Sequence, residues 1–230
     1  MRIFVAGATG ALGRRLVPLL VAEGHEVAAG ARRFVAQCFA GWTYAREGGP
    51  VKSEEDPLDP NPPEVIAPPL KPSDTSRQGD GGRPTRRSRA AIRLLLRPAT
   101  SIGEGGPHWE LVRRRRFPIV GKGTGVWSFI HVDDAASATL AAMTRGSGGV
   151  YNIVDDEPAA VAAWLPALAA AVGAPPPLRV PTWLARLAVG EAGVSLMTQV
   201  RCASNAKAKH ALDWEPAYPS WREGFRRRLA

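Results

Sequence analysis

The chain reads as an α/β protein built on a parallel sheet, and three observations predict it. A short apolar run opens the chain, a glycine-rich turn leads straight into a helical repeat, and a glycine stop precedes a second β-type run. Strand, helix and strand within thirty residues make a βαβ unit, which places its two strands parallel.

Arg2-Ile3-Phe4-Val5-Ala6 carries β-branched and aromatic residues and suits a buried parallel strand. Gly7-Ala8-Thr9-Gly10-Ala11-Leu12-Gly13 follows at once. Leu12, Leu16, Leu19 and Leu20 then recur at helical spacing, and the helix stops at Gly24. Pro18 lies near its second turn and bends it rather than ending it. His25 to Ala29 supplies the second strand.

The glycines have a chemical reason. A diphosphate must reach backbone N–H groups at the positive end of a helix dipole, where no side chain can intrude. Gly7 permits the tight turn, Gly10 the close approach and Gly13 the packing of helix on strand. The expected cofactor-binding residues are therefore Gly7, Thr9, Gly10, Ala11, Leu12 and Gly13, on a Rossmann-like doubly wound sheet that takes NAD or NADP. The spacing is G-x-x-G-x-x-G, one residue longer between the first two glycines than the dehydrogenase fingerprint. Arg32, with Arg33, lies just beyond the second strand and leans towards the 2′-phosphate of NADP.

Composition bounds the rest. The 230 residues are 45% hydrophobic and 22% charged, which is ordinary for a globular chain with a substantial core. No run is long and apolar enough for a membrane span and no signal-peptide core develops, so a cytoplasmic protein without a membrane partner is expected. Cys38 and Cys202 stand far apart without metal-ligand spacing and read as reduced thiols.

The net charge of +9 raises nucleic acid as a partner, but its distribution argues otherwise. The stretch 65–98 carries eight basic and two acidic residues, no aromatic stands among them, and no nucleic-acid module is recognisable. Its Pro, Gly, Ser and Arg content marks a low-complexity, disordered segment, with Ala90 to Leu96 able to form a short helix or strand at its end. Such content is also what GC-rich DNA yields when read in a shifted frame. Three units follow: 1–64, a partial dinucleotide-binding domain; 65–98, the low-complexity segment; and 99–230, the rest of the sheet with a small C-terminal substrate-binding region.

Further along, Arg113 to Arg116 suit the exposed end of a helix, and Gly121-Lys122-Gly123-Thr124-Gly125 suits a turn near the substrate cleft. Asp133 or Asp134 is placed to cap the helix after Phe129-Ile130-His131-Val132, and His131 to act structurally within a strand-like run. Trp164, Trp183, Trp214 and Trp221 are expected to pack the small domain.

Arg2 to Val27, with Gly7, Gly10 and Gly13, resembles the extended short-chain dehydrogenases/reductases, the NAD-dependent epimerase/dehydratase group. Arg33 to Tyr44 looks like that family's central strand leading to the active site, and Glu54 to Pro60 like the acidic loop after it. Phe129 to Ala136 is similar to its His-Val-Asp-Asp segment, Gly149 to Pro158 to its late strand, and Ala206 to Pro216 to its C-terminal helix and turn. The resemblance implies hydride transfer on a sugar-like or other alcohol or carbonyl substrate, with a nucleotide sugar as one candidate partner. It also implies a Tyr-x-x-x-Lys pair within 65–98, and neither residue type stands there in that pattern. Ala40 occupies the family's polarising Ser/Thr position, with Cys38 and Thr43 nearby, and Tyr44 with Lys52 is not at helical spacing. No catalytic residue is assigned. Two alternatives stand beside the oxidoreductase: an inactive, truncated relative that at most binds dinucleotide, and a basic nucleic-acid-binding protein. Between Gly30 and Phe34 there is no room for a parallel crossover, so the sheet is expected to lack strands there.

Overall fold

The computed structural model describes residues 2–3, 12–27, 34–39, 44–61, 91–96, 107–147 and 149–226. Strand β1 (Arg2–Ile3), helix α1 (Gly13–Ala22) and strand β2 (Glu26–Val27) form the expected unit, with β1 and β2 parallel and Arg2 opposite Glu26. Helix α1 runs through Pro18 and buries Gly13, Leu16 and Leu20. The helical spacing of the leucines thus marks the covered face.

A second ladder holds the centre. Strands β3 (Phe34–Phe39), β5 (Ala91–Leu96) and β8 (Gly149–Ile153) are parallel in that spatial order. Phe34 lies opposite Ala91, and Leu95 opposite Asn152. Among the described residues no hydrogen-bonded ladder joins β1–β2 to this sheet, and the connection after Gly30 lies outside the described residues. Of the stretch 65–98, Ala91–Leu96 is a strand and the remainder lies outside the described residues.

Helix α2 (Pro107–Arg113) ends in the basic run as expected: Arg113, Arg114 and Arg115 are exposed, and Arg115 turns left-handed at φ 54°. Strands β6 (Ile119–Val120) and β7 (Val126–Trp127) flank the glycine turn, where Gly121 and Gly123 have φ 55° and 63°. A Cβ on Gly123 would come within 2.7 Å of Ile119, so this turn requires glycine twice over.

Helix α3 (Val132–Thr144) packs on α1 through Ala136, Leu140 and Met143 against Leu12, Leu16, Leu19 and Leu20. Its N-cap is His131, whose Nδ1 accepts the N–H of Asp133 at 3.2 Å, so the expected cap at Asp133 or Asp134 is corrected. The reason is long-range. Asp134 is buried and accepts the N–H groups of Ala217 and Tyr218 at 2.8 and 2.9 Å, while Asp133 pairs with Arg15. His131 itself precedes a helix and belongs to no strand, contrary to the strand-like reading.

Beyond β8, strand β9 (Ala159–Ala160) pairs with β7 and leads into α4 (Val161–Ala171). Strand β10 (Arg179–Val180) pairs with β6, α5 (Thr182–Thr198) follows, and β11 (Cys202–Ala203) pairs with β4 (Val51–Lys52). Helices α6 (Ala206–Leu212) and α7 (Trp221–Arg226) complete the described chain. The largest core surrounds Trp164, with Phe129 5.6 Å away edge-on and Trp127 at 4.8 Å; Trp221 and Phe225 join through Phe129. Trp214 anchors a second core between α3, β8 and α6. Trp183 is 63% exposed, correcting the expectation that it packs the domain. It sits on the first half of α5, which Gly190, at φ 67° and ψ −179°, separates from the buried second half.

Candidate functional site

In an open parallel sheet, ligands bind beyond the carboxyl ends of the strands, where the following helices begin. Helices α1 and α3 start side by side, because Arg15 Nε reaches Asp133 Oδ1 at 3.1 Å. Their N-termini differ in charge. That of α3 is capped by the His131 ring and carries Asp133 and Asp134 in its first turn, so its positive end is already offset. That of α1 has no side-chain cap and no acidic residue in its first turn, and Gly13 is buried without a Cβ. A helix start without a cap or an acid among the described residues, following a glycine-rich sequence, fits a diphosphate. Of the expected binding residues, Leu12 and Gly13 stand at this start; Gly7, Thr9, Gly10, Ala11 and Arg32 lie outside the described residues.

Next to the central sheet, Tyr44 and Glu54 converge on β8. Tyr44, buried with Val154 and Ala203, donates its hydroxyl to Asn152 Oδ1 at 2.8 Å. The Asn152 N–H donates to Glu54 Oε1 at 2.6 Å, and Asn152 Nδ2 is buried without an acceptor. Burial raises the Glu54 carboxyl above the usual range, against the pull of the Asn152 N–H and the nearby Lys207 charge. Lys52 is not paired with Tyr44: its Nζ donates to the Glu47 carbonyl at 2.6 Å and approaches Asp56. Two bonds from Ser53 hold the Asp56 carboxyl below its usual range.

The loop carrying Tyr44 is tied to α5. Arg46 donates to Ser195 Oγ and Gln199 Oε1 and lies 3.7 Å from the buried Asp59, while Arg201 Nε donates to the Arg46 carbonyl at 2.7 Å. Cys202 is a buried thiol directed at the Pro50 carbonyl, and Cys38, Ala40 and Thr43 have no described side chains.

The acidic run after β8 was not singled out from sequence, yet each member holds a different segment. Asp155 Oδ1 accepts from the Phe129 N–H, Asp156 from Asn205 Nδ2 and Lys209 Nζ, and Glu157 from Ser220 and Arg222. The available signal was three consecutive acids facing a Ser/Asn/Lys/Arg-rich C-terminal stretch. Burial pushes the Asp155 carboxyl up to about 8, although the Phe129, Trp221 and Glu157 N–H groups draw it down. Among the described residues no His, Cys, Asp and Glu cluster could hold a metal, and no helix is long and apolar enough to cross a membrane.

Comparison with known proteins agrees with this geometry. Residues 79–154 match the model of the NAD dependent epimerase/dehydratase family, a span that begins inside the low-complexity stretch and takes in β5. A 3-diazoavenalumate denitrifying reductase from Streptomyces sp is 39% identical over 206 residues, 87% of this chain, and the chain spans 66% of that relative's length. The fold is shared with the human epimerase family protein SDR39U1 crystallised with NADPH, at TM-score 0.73 and 15% identity over 99% of this chain and 98% of that one. It is also shared with a UDP-glucose 4-epimerase from Thermotoga maritima crystallised with UDP-glucose, at TM-score 0.67 and 18% identity over 100% and 97%. The family match and the reductase relative place the chain in the NAD-dependent epimerase/dehydratase family.

Proposed function

We propose that the protein is an NAD(P)H-dependent reductase of a small organic substrate. The observation that carries this reading is the start of α1, which among the described residues has neither a side-chain cap nor an acidic residue in its first turn, in contrast to the adjacent start of α3, and follows a glycine-rich sequence. Gly7 to Gly13 would hold the diphosphate through backbone N–H groups, and Arg32 would lie on the side of a 2′-phosphate. The bound dinucleotide supplies a hydride. The chain's own share is to fix the cofactor at α1 and to close the substrate side with the segments around Tyr44, Arg46, Asn152 and α5. The reductase relative supports reduction over epimerisation, and its name specifies a diazo acid that is denitrified; the Thermotoga neighbour was crystallised with a nucleotide sugar. Both are candidate acceptor types here. Cytoplasmic location belongs to the same proposal.

Titration calorimetry with NADPH and NADH tests the reading. Binding is expected for the unaltered chain and is lost in Gly10→Val, whose branched side chain occupies the path of the diphosphate. Equal affinities in the two proteins would remove the assignment.

A further inference from the structure

Nine large apolar side chains stand more than a third exposed among the described residues, and five of them, Leu178, Trp183, Leu184, Leu187 and Val189, fall within twelve consecutive positions. Single exposed apolar residues are ordinary on a protein surface, whereas a contiguous cluster marks a contact. From Trp183 to Ala192 only Ala185 is buried. The first half of α5 is therefore an arm, held at one end where the Pro181 carbonyl accepts the Leu184 and Ala185 N–H groups and at the other by the buried Val194, Ser195 and Met197. Helical spacing puts Trp183, Leu184 and Leu187 together on the face opposite Ala185, so the side turned from the fold is the apolar one. Gly190, at φ 67°, turns the chain between the arm and the buried half, and a Cβ there would meet nothing within 4 Å.

The charges on the arm select what covers it. The chain as a whole is +9, but between Thr182 and Gly193 stand one cation, Arg186, and one anion, Glu191, so the arm itself is neutral. An anionic membrane or an acidic partner calls for a basic rim, which the arm does not carry. Arg186 and Glu191 pair with each other at the surface, 52% and 62% exposed, where they are free to exchange partners. A face with one charge of each sign complements its own copy, because a two-fold axis sets residue i against j and j against i. We infer that the first half of α5 is a self-association surface: two copies pair arm against arm, antiparallel, with Trp183, Leu184 and Leu187 between them and Arg186 of each facing Glu191 of the other. The same register sets Leu187 over Gly190 of the second copy, where open space receives it. At 63% exposure Trp183 alone leaves on the order of 150 Å² to cover, and a standard interface takes about 800 Å² a side, so a dimer made by one arm is small and its dissociation constant belongs in the micromolar range.

Sedimentation velocity of the full chain, run from low to high micromolar protein, tests the pairing. The unaltered chain is expected to pass from monomer to dimer as concentration rises. Leu187→Glu should raise the dissociation constant at least about 100-fold, because a two-fold interface loses the buried leucine twice. Its urea midpoint at low micromolar protein should stay unchanged, since Leu187 is 79% exposed in the single copy. Arg186→Glu and Glu191→Arg should each weaken the homodimer about 10-fold by setting like charges against each other, and an equimolar mixture of the two should form the mixed dimer about as tightly as the unaltered chain. That rescue needs the two residues to meet across the interface, which apolar burial alone does not supply. A chain monomeric at every concentration, a dimer that Leu187→Glu leaves intact, or charge variants that mixing does not rescue would each overturn the pairing. So would a monomer that sediments through Leu187 with vesicles of equal parts phosphatidylcholine and phosphatidylserine, or a monomer whose NADPH binding Leu187→Glu weakens, since the arm would then cover a bilayer or this chain's own cleft.

Discussion

Replacing Asp155 by asparagine should stabilise the protein in alkali and do little in acid. The carboxyl is 3% exposed, one oxygen accepts from Phe129 and the other is buried without a partner. Burial raises it from 3.8 to about 8, with the Glu157 charge adding in the same direction. A carboxyl whose pKa is raised on folding binds its proton more tightly in the native state, so stability is fully present below about pH 4 and falls as pH rises towards 8. At about 1.4 kcal/mol per unit, the ceiling between pH 4 and pH 8 is about 6 kcal/mol, and relaxation with water entry brings the expected loss to about 2 kcal/mol. Asparagine keeps the acceptor for Phe129 and the shape, and carries no charge to desolvate. Urea unfolding followed by tryptophan fluorescence, with Trp221 and Trp164 nearby in the same core, gives the midpoints. Near pH 4 the two proteins should agree; at pH 8 to 9 the variant should be the more stable by about 2 kcal/mol. A constant difference between the two proteins across this range would refute the reasoning, because the titration would then belong to another group.

Two stability measurements probe the packing that positions the site. Trp164→Ala should cost about 3 to 5 kcal/mol, since it empties the centre of the largest core, and the unfolding midpoint at fixed slope reads the loss. Asp134→Ala strands the Ala217 and Tyr218 amides and should cost about 1 to 3 kcal/mol for each left unsatisfied, whereas an unchanged midpoint would mean the 217–218 turn holds without it.

The legible parts of this chain are those whose signals are local. The βαβ unit could be read from an apolar run, glycine spacing and the repeat of Leu12, Leu16 and Leu20, all within thirty residues. The proposed cofactor end would be held by backbone N–H groups, so its requirements are expected to appear as glycines at fixed intervals. Strand β5 was harder to see because its composition is shared with the basic stretch around it, while its pairing is made by backbone groups to two distant strands. The cap of α3 was misassigned for a related reason. Aspartate is the usual cap, but the amides that claim Asp134 come from residues more than eighty positions later.

The segments proposed for the substrate side show the same rule at larger scale. Tyr44 meets Asn152, Arg46 meets Gln199, and Glu157 meets Arg222, and read singly each is an ordinary polar residue. Trp164 and Trp183 both stand in apolar helices, yet one fills the core while the other is exposed on the half of α5 that precedes the break at Gly190. A cofactor site that rests on one contiguous turn can therefore be inherited intact by chains of very different chemistry, whereas the acceptor is selected by segments that must be brought together from across the fold. In this chain the Tyr44 hydroxyl reaches Asn152 across 108 positions, whereas the Tyr151 hydroxyl closes a local contact with Ser147.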